Sequence, residues 1–225
     1  MPRSIAVVFG AGGGIGAALV DALRQNHGFD DVVALRRPAL ELTDEASIAA
    51  AARALPAGEP RLLLDATGFL HDTNQRPERS LRELDAAALA RNFALNAIGP
   101  ALLMKHFLPL LPRQGRAVFA TLSARVGSIG DNRLGGWYGY RAAKAALNQL
   151  MHTAAIELAR SHPEAICVAL HPGTVATSLS APFAKAGLEV RPPAVAAAEL
   201  LAVLAGLDRP DSGGFFDWRG ATIPW

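Results

Sequence analysis

Residues 5–23 join a short apolar run, a glycine-rich turn and an amphipathic segment, and this arrangement constrains the fold more than any other part of the chain. A wholly apolar run such as 5–9 is typical of a strand in a parallel sheet that is covered on both faces. The periodicity of residues 17–23 indicates a helix. The glycines between the strand and the helix are Gly10, Gly12, Gly13, Gly14 and Gly16.

A glycine turn of this kind lets a pyrophosphate approach the backbone N–H groups and the positive dipole at a helix N-terminus. The alternative is a flexible surface loop. The buried strand before the turn and the helix after it favour nucleotide binding, with Ile15 among the contacts.

Further apolar runs alternate with helical segments along the whole chain. This alternation predicts an α/β fold, a single-domain doubly wound parallel sheet (Rossmann fold) with helices on both faces, in one domain covering 1–225. The predicted strands are 5–9, 32–35, 62–66, 117–122, 166–170 and 214–216.

Two helix starts are also indicated by the sequence. Thr43 followed by Asp44 and Glu45 suggests one start, because acidic residues complement the helix dipole. Ser80 with Glu83 has the spacing of a capping box.

Charge and hydropathy exclude several classes of function. The net charge is +2 and basic residues never run beyond a pair, so we expect neither a nucleic-acid partner nor an anionic membrane. The first apolar run is too short for a signal peptide, and no stretch of about twenty apolar residues appears. Residues 101–111 are interrupted by Lys105, His106 and Pro109, which favours a buried or subunit-facing helix.

Cys167 is the single cysteine and lies in the apolar run 166–170. It cannot form an internal disulfide and is predicted to be a small core residue in a reducing, cytoplasmic setting. No metal site is predicted.

Tyr140 and Lys144 lie four residues apart, which on a helix places a phenol and an ammonium on one face. A neighbouring cation favours the phenolate and brings the phenol pKa nearer to the neutral range. The pair alone is weak evidence for catalysis, and its weight comes from the glycine turn.

Taken together, these features resemble the short-chain dehydrogenase/reductase family over essentially the whole chain. The matching elements are the spacing Gly10-x-x-x-Gly14-x-Gly16, Asn96 in a long helix, the pair Tyr140 and Lys144, and the segment 171–177 with its Pro-Gly-x-Val-x-Thr order. The stretch 127–138 further resembles the C-factor-like and sniffer-like carbonyl reductases of that family.

The resemblance implies a role for each of these residues. Tyr140 would protonate the substrate carbonyl, Lys144 would lower the Tyr140 pKa and bind the nicotinamide ribose, and Asn96 would hold a water leading from Lys144 to solvent. An asparagine bonded only to its local backbone is the alternative for Asn96. The residues expected to line the nicotinamide are Pro172, Gly173, Val175 and Thr177.

The segment 65–68 reads Asp-Ala-Thr-Gly where the family has Asn-Asn-Ala-Gly, so a structural asparagine is missing at Asp65. The glycine that lets the backbone approach the adenosine side is retained. The remaining predicted cofactor contacts are Leu42, Ala66, Thr67 and Gly68.

Arg36 and Arg37 follow the second predicted strand, about twenty residues beyond the glycine turn. An acidic residue at this place usually binds the ribose of NAD, whereas arginine accommodates the extra phosphate of NADP. The cofactor is therefore predicted to be NADP(H), with NAD(H) as the alternative. The alternative is that both arginines simply face solvent, and comparable catalytic efficiency with the two cofactors would rule the preference for NADP(H) out.

The serine that polarises the substrate carbonyl is displaced in this sequence. The family position, three residues before Gly127, holds Ala124, and Ser123 stands one place earlier. One residue along a strand turns the side chain to the opposite face. Ser123 is the predicted catalytic serine if the strand end bulges, and Ser128 is the second candidate.

The resemblance implies a carbonyl reductase or alcohol dehydrogenase that acts on a small-molecule carbonyl compound. The loop 178–190 is expected to close over the substrate, and its mostly apolar residues favour a hydrophobic compound. The alternative is a dinucleotide-binding regulatory or signalling protein with little turnover. Apolar helices at 102–111 and 145–158 suggest a homodimer or homotetramer.

Overall fold

The computed structural model describes residues 2–26, 28–183 and 189–225. Its main sheet has six parallel strands in the order β2-β1-β3-β4-β5-β8, which confirms the predicted α/β doubly wound architecture. The six strands are β1 Ser4–Phe9, β2 Asp31–Leu35, β3 Glu59–Asp65, β4 Ala117–Leu122, β5 Ala165–His171 and β8 Phe215–Asp217. Each overlaps one predicted strand.

Helices cover both faces of this sheet. Alternate residues of β1 point to opposite sides, so that Ile5, Val7 and Phe9 pack with the helices at Glu45–Arg53, Gly99–Phe107 and Tyr138–Ser161, whereas Ala6 and Val8 pack with those at Gly14–Gln25 and Pro193–Gly206. All five side chains are fully buried. The helices are α1 Gly14–Gln25, α2 Glu45–Arg53, α3 Ala86–Phe93, α4 Gly99–Phe107, α5 Tyr138–Ser161 and α6 Pro193–Gly206.

A second, two-stranded parallel sheet lies outside the main one and was not predicted. It pairs β6 Thr174–Val175 with β7 Val190–Arg191. Strands of two residues carry no alternation from which sequence analysis could have predicted them.

One of the two predicted helix starts is wrong. Asp44 caps α2 by accepting a hydrogen bond from the Ala46 N–H over 2.9 Å, next to the predicted Thr43. Ser80 makes no capping bond and precedes only a single 3-10 turn. The next α-helix begins at Ala86 instead, where Asp85 accepts from the Ala88 N–H over 2.8 Å.

The helical stretch Ala86–Leu110 is long and apolar enough to cross a membrane by length and composition alone. Its side chains Leu103 and Phe107 are fully buried in the core, and the polar Asn92 and Asn96 are buried as well. These buried side chains agree with the buried or subunit-facing helix predicted for 101–111.

Cys167 is buried in β5, as predicted. Its thiol lies 3.9 Å from the Met151 carbonyl oxygen, and burial raises the pKa of the thiol to about 12. The thiol is therefore protonated at neutral pH and acts as a core side chain.

Candidate active site

The glycine turn between β1 and α1 is closed by steric contacts that only glycine allows. Gly10 has a φ of +75°, and a Cβ on it would lie 2.8 Å from the Ala66 carbonyl oxygen. A Cβ on Gly16 would lie 2.2 Å from the Gly10 carbonyl oxygen. Gly13 caps α1 without a side-chain hydrogen bond, so the first-turn N–H groups remain open to an anion.

The segment after β5 reaches back to this turn. A Cβ on Gly14 would lie 2.7 Å from Cγ2 of Thr177, so the two predicted halves of the dinucleotide site are in direct contact. Gly173, with a φ of +74°, is packed against Arg191 and Trp218, whose nearest atoms lie 2.5 Å and 3.0 Å from the position of a Cβ. The Pro-Gly turn thus packs against the Arg191 guanidinium and the Trp218 ring.

Pro172 and Val175 lie in the same segment, half-buried and buried respectively. Leu42 packs near the start of α4, where a Cβ on Gly99 would lie 2.9 Å from the Leu42 Cβ. A cofactor contact for these three residues stays a prediction.

Arg36 follows β2 and extends across the glycine turn. Its Cδ lies 3.5 Å from the position of a Cβ on Gly12. Arg36 and Arg37 are both exposed, and neither has a carboxylate partner within the described part of the chain. A guanidinium group is therefore available beside the turn.

Tyr140 and Lys144 lie in the first two turns of α5, and only 8% of Tyr140 and 2% of Lys144 are exposed. The Lys144 Nζ donates to the Leu122 carbonyl oxygen over 2.8 Å and lies 5.9 Å from the centre of the Tyr140 ring. Burial raises the pKa of the Tyr140 phenol above its ordinary value, which corrects the predicted lowering by Lys144, because the loss of water around the phenol outweighs the effect of the cation. Burial also lowers the pKa of Lys144 to about 8, while the carboxylate of Asp65 raises it.

These shifts leave the phenol protonated and the amine mostly charged at neutral pH. A protonated phenol beside an ammonium group can give up a proton and have the resulting phenolate stabilised.

Asn96 lies in a π-helical turn, Ala94–Ile98, between α3 and α4. Its side-chain amide accepts from the Phe69 N–H over 2.9 Å and donates to the Phe69 carbonyl oxygen over 2.8 Å. A Cβ on Gly68 would lie 3.7 Å from Asn96 Oδ1 and 3.9 Å from Lys144 Nζ. Asn96 therefore fixes the loop after β3 against Lys144, and its predicted water-holding role stays a prediction.

Residues 10–198 match the short-chain dehydrogenase profile described as Enoyl-(Acyl carrier protein) reductase, which covers most of the chain. The chain belongs to the short-chain dehydrogenase/reductase family. C-signal of Myxococcus xanthus is 36% identical over 147 residues, 65% of this chain and 84% of that protein.

Solved structures agree with this family. The NADPH-bound carbonyl reductase from chicken fatty liver is 28% identical and superposes with a TM-score of 0.86, covering 100% of this chain and 94% of that one. Carbonyl reductase Sniffer of D. melanogaster, at 21% identity, has a TM-score of 0.81 over 100% of both chains, which supports the fold. The predicted family and its oxidoreductase class are confirmed.

Ala124 occupies the position of the family serine. The side chains of the two nearby serines, Ser123 and Ser128, are both engaged in hydrogen bonds within the chain. The Ser123 hydroxyl donates to Asn148 Oδ1 over 2.6 Å, one helical turn beyond Lys144 on α5. Ser128 Oγ accepts from the Asp131 N–H over 3.0 Å and so holds its own loop. The catalytic role predicted for Ser123 stays a prediction.

Asp65, where the family has asparagine, is buried at the end of β3 and is only 1% exposed. Its Oδ1 accepts from the Thr67 N–H at 3.0 Å and from the Thr67 hydroxyl at 2.5 Å. Its Oδ2 accepts from the Thr121 hydroxyl of β4 at 2.7 Å. The sequence marked Asp65 only as a departure, and no pattern connected it to Thr121.

An aromatic cluster beside Tyr140 was also missed. Trp137, with a left-handed φ of 54°, lies edge-on to Tyr140 at 6.3 Å and to Phe183 at 5.0 Å between ring centres. Phe183 in turn contacts His71 at 5.3 Å. These residues come from three separate segments, so no local motif joins them, and residues 184–188 of the predicted substrate loop lie outside the described residues.

Glu78 is a further site residue that the sequence did not indicate. Its buried carboxylate accepts from the Gly139 N–H over 3.1 Å, one residue before Tyr140. A carboxylate at a helix N-terminus is favoured by the helix dipole, so Glu78 fixes the start of the helix that carries Tyr140.

Proposed function

We propose that this chain is an NADP(H)-dependent carbonyl reductase or alcohol dehydrogenase in which Tyr140 transfers the proton. The observation that carries this proposal is the convergence of two buried groups, Tyr140 and Lys144, at the carboxyl end of β4, where Lys144 binds the Leu122 carbonyl oxygen. The similarity to a carbonyl reductase solved with NADPH supports the choice of cofactor.

The residues of the site fit a dinucleotide. The N-terminus of α1, at Gly14, has no side-chain cap and suits a pyrophosphate. Arg36, beside the turn and without a carboxylate partner among the described residues, suits a ribose 2′-phosphate. Thr177 would meet the nicotinamide carboxamide. The chemistry that this cofactor supplies when bound is transfer of a hydride to or from the substrate carbon.

The chain itself supplies and restores the proton. In reduction, the Tyr140 hydroxyl gives its proton to the carbonyl oxygen, and the charged Lys144 stabilises the phenolate that remains. The Leu122 carbonyl oxygen holds the ammonium in place. A proton from solvent then returns to Tyr140, and we propose that it passes beside Asn96 and Lys144.

The surroundings of Tyr140 favour an apolar carbonyl substrate. Trp137 lies edge-on to the phenol ring, Phe183 packs on Trp137, and His71 packs on Phe183 while contacting the Ser178 carbonyl oxygen at 3.2 Å. Aromatic rings such as Trp137 and Phe183 bind apolar groups.

Turnover with a panel of aldehydes, ketones and quinones tests this function. We expect oxidation of NADPH by the wild type with at least one apolar carbonyl compound. Tight NADPH binding measured by fluorescence, with no turnover of any compound in the panel, would contradict the proposal.

NADPH binding without turnover would favour a dinucleotide-binding regulatory protein. One observation supports this alternative. Ala124 stands where the family has its serine, and the Ser123 hydroxyl is already engaged by Asn148. If a serine contributes, Ser123→Ala or Ser128→Ala should lower the rate by about 10²–10³-fold, as loss of an oxyanion donor does. Unchanged rates in both variants would exclude a serine role.

We also propose self-association of the chain. Ile98 in the π-helical turn and Leu150 and Ile156 on α5 are large apolar residues that remain exposed. Exposed apolar side chains on neighbouring helices are typical of subunit interfaces. Light scattering coupled to gel filtration should give a dimer or tetramer, and a monomer at all concentrations would contradict this.

A further inference from the structure

Asp65 is a buried carboxylate with no role in the mechanism above. Its two oxygens receive three donors, from the Thr67 N–H and hydroxyl and from the Thr121 hydroxyl. An ionised carboxylate only accepts hydrogen bonds, and each of these donors suits that form. The surroundings therefore hold a negative charge at the carboxyl end of β3.

This charge lies close to Lys144 without touching it. Thr121, which binds Asp65, is followed directly by Leu122, whose carbonyl oxygen binds the Lys144 Nζ over 2.8 Å. Gly68, three residues after Asp65, has its Cβ position 3.9 Å from the same Nζ. The two charged groups thus bind consecutive residues of β4, Thr121 and Leu122, without a direct ion pair.

The other charged groups around Lys144 are engaged elsewhere. Among the described residues, Tyr140 faces it from its own helix and Asp65 from the sheet. Arg125, in the 3-10 turn after β4, pairs with Asp131 at 3.0 Å and Asp217 at 3.5 Å. The π-helical turn contributes only the neutral amide of Asn96 to this region.

Glu78, the remaining buried carboxylate nearby, accepts from the N-terminus of α5. Asp65 is therefore the counter-charge that the fold provides for Lys144.

We propose that Asp65 is a positioning residue whose carboxylate keeps Lys144 protonated in its buried site and thereby sets the upper pH limit of the reaction. The effect of Asp65 on the charge of Lys144 follows from the structure of the chain, whereas its effect on the pH limit of the reaction rests on the proposed function. The family has an uncharged asparagine at this position. The negative charge near Lys144 is therefore a feature of this sequence, which has aspartate there.

The direction of the effect follows from charge. Burial lowers the pKa of Lys144 to about 8, and Asp65 opposes that shift. Without the carboxylate, the ammonium would lose its proton at a still lower pH. This change moves the upper pH limit downward.

The test compares Asp65→Asn with Thr121→Val. Asparagine keeps the shape and one acceptor but removes the charge, whereas Thr121→Val removes a hydrogen bond to Asp65 and leaves its charge. The chain has only three lysines, Lys105, Lys144 and Lys185, so the ε-carbons of ¹³C-labelled lysine can be titrated by NMR. Lys105→Arg and Lys185→Arg assign the signals.

We expect Asp65→Asn to lower the Lys144 titration midpoint by about one pH unit or more, the size of effect that a nearby opposite charge has. Thr121→Val should leave the midpoint within about 0.3 units of the wild type, since its effect would be on hydrogen bonding alone. With an active wild type, the upper limb of the pH profile of kcat/KM should move with the midpoint.

An unchanged Lys144 midpoint in Asp65→Asn would overturn the proposal and leave Asp65 as a tie between β3 and β4. If Asp65→Asn does not fold, Asp65→Ser removes the same charge with less bulk, and Asp65→Glu should titrate like the wild type. A shifted midpoint in a protein whose wild type shows no turnover would support the counter-charge and reject the proposed function.

Discussion

Lys144 donates from Nζ to the backbone carbonyl oxygen of Leu122 over 2.8 Å, which ties the ammonium of α5 to the end of β4. Replacing Lys144 with methionine should lower kcat/KM by about 10²–10⁴-fold, because the phenolate of Tyr140 loses its cation. Lys105→Met is the matched control, since Lys105 is exposed and pairs with Glu45. Equal rates in Lys144→Met and the wild type would contradict the mechanism.

The contact between Gly14 and Thr177 gives a second prediction. A Cβ on Gly14 would lie 2.7 Å from Thr177 Cγ2, so Gly14→Ala should weaken NADPH binding by about 10- to 100-fold, as overpacking commonly costs.

Thr177→Ser removes Cγ2 and should restore much of the affinity in the double variant with Gly14→Ala. Gly28→Ala is the control, because no atom of the described residues beyond its chain neighbours lies within 4 Å of its Cβ position. The dissociation constant can be followed by NADPH fluorescence. Failure of the double variant to recover would show that the contact between these two segments does not shape the site.

Arg36 should distinguish the two nicotinamide cofactors. Replacing Arg36 with alanine should raise the Kd for NADPH by about 10- to 100-fold, because a charge-assisted hydrogen bond to the 2′-phosphate is lost. The Kd for NADH should stay nearly unchanged. Arg160→Ala, an exposed arginine near the opposite end of α5, should alter neither constant. Equal weakening of both cofactors by Arg36→Ala would argue against a 2′-phosphate site.

His171 should make the protein sensitive to acid. Burial, together with the charges of Arg125 and Arg191, lowers the pKa of His171 to about 4, against an opposing effect of Asp217. The unfolded chain, with an ordinary histidine pKa, binds the proton first as pH falls. Stability is therefore intact above about pH 6.5 and is lost through the interval down to about pH 4.

The loss attributable to His171 should be about 2 kcal/mol in the free energy of unfolding. Urea denaturation of His171→Asn and the wild type at pH 7 and pH 4.5 measures it. The variant should lose less stability between the two pH values, and parallel losses would contradict this assignment.

Features set by a short piece of sequence were predictable. The apolar β1 and its glycine turn follow from the residues themselves, since Gly10 and Gly16 have no room for a Cβ. The pair Tyr140 and Lys144 could be predicted to share a face because four residues on a helix return to the same side.

Features that join distant segments were not predictable. Asp65 and Thr121 are neighbours only because of the register between β3 and β4, which pairs these two residues. Trp137 and Phe183 meet through loops whose course no periodicity encodes. The capping box predicted at Ser80 failed because the chain makes only one 3-10 turn there, and Asp85 caps the helix five residues later.

The central claim is that Tyr140 delivers the proton, and the chain offers a matched control because it has only two tyrosines, Tyr138 and Tyr140. The measurement is kcat/KM for carbonyl reduction, with the NADPH dissociation constant, in Tyr140→Phe and Tyr138→Phe. Tyr140→Phe should lose about 10³-fold or more in kcat/KM with cofactor binding retained, and Tyr138→Phe should remain near the wild type. Full activity in Tyr140→Phe would contradict the account.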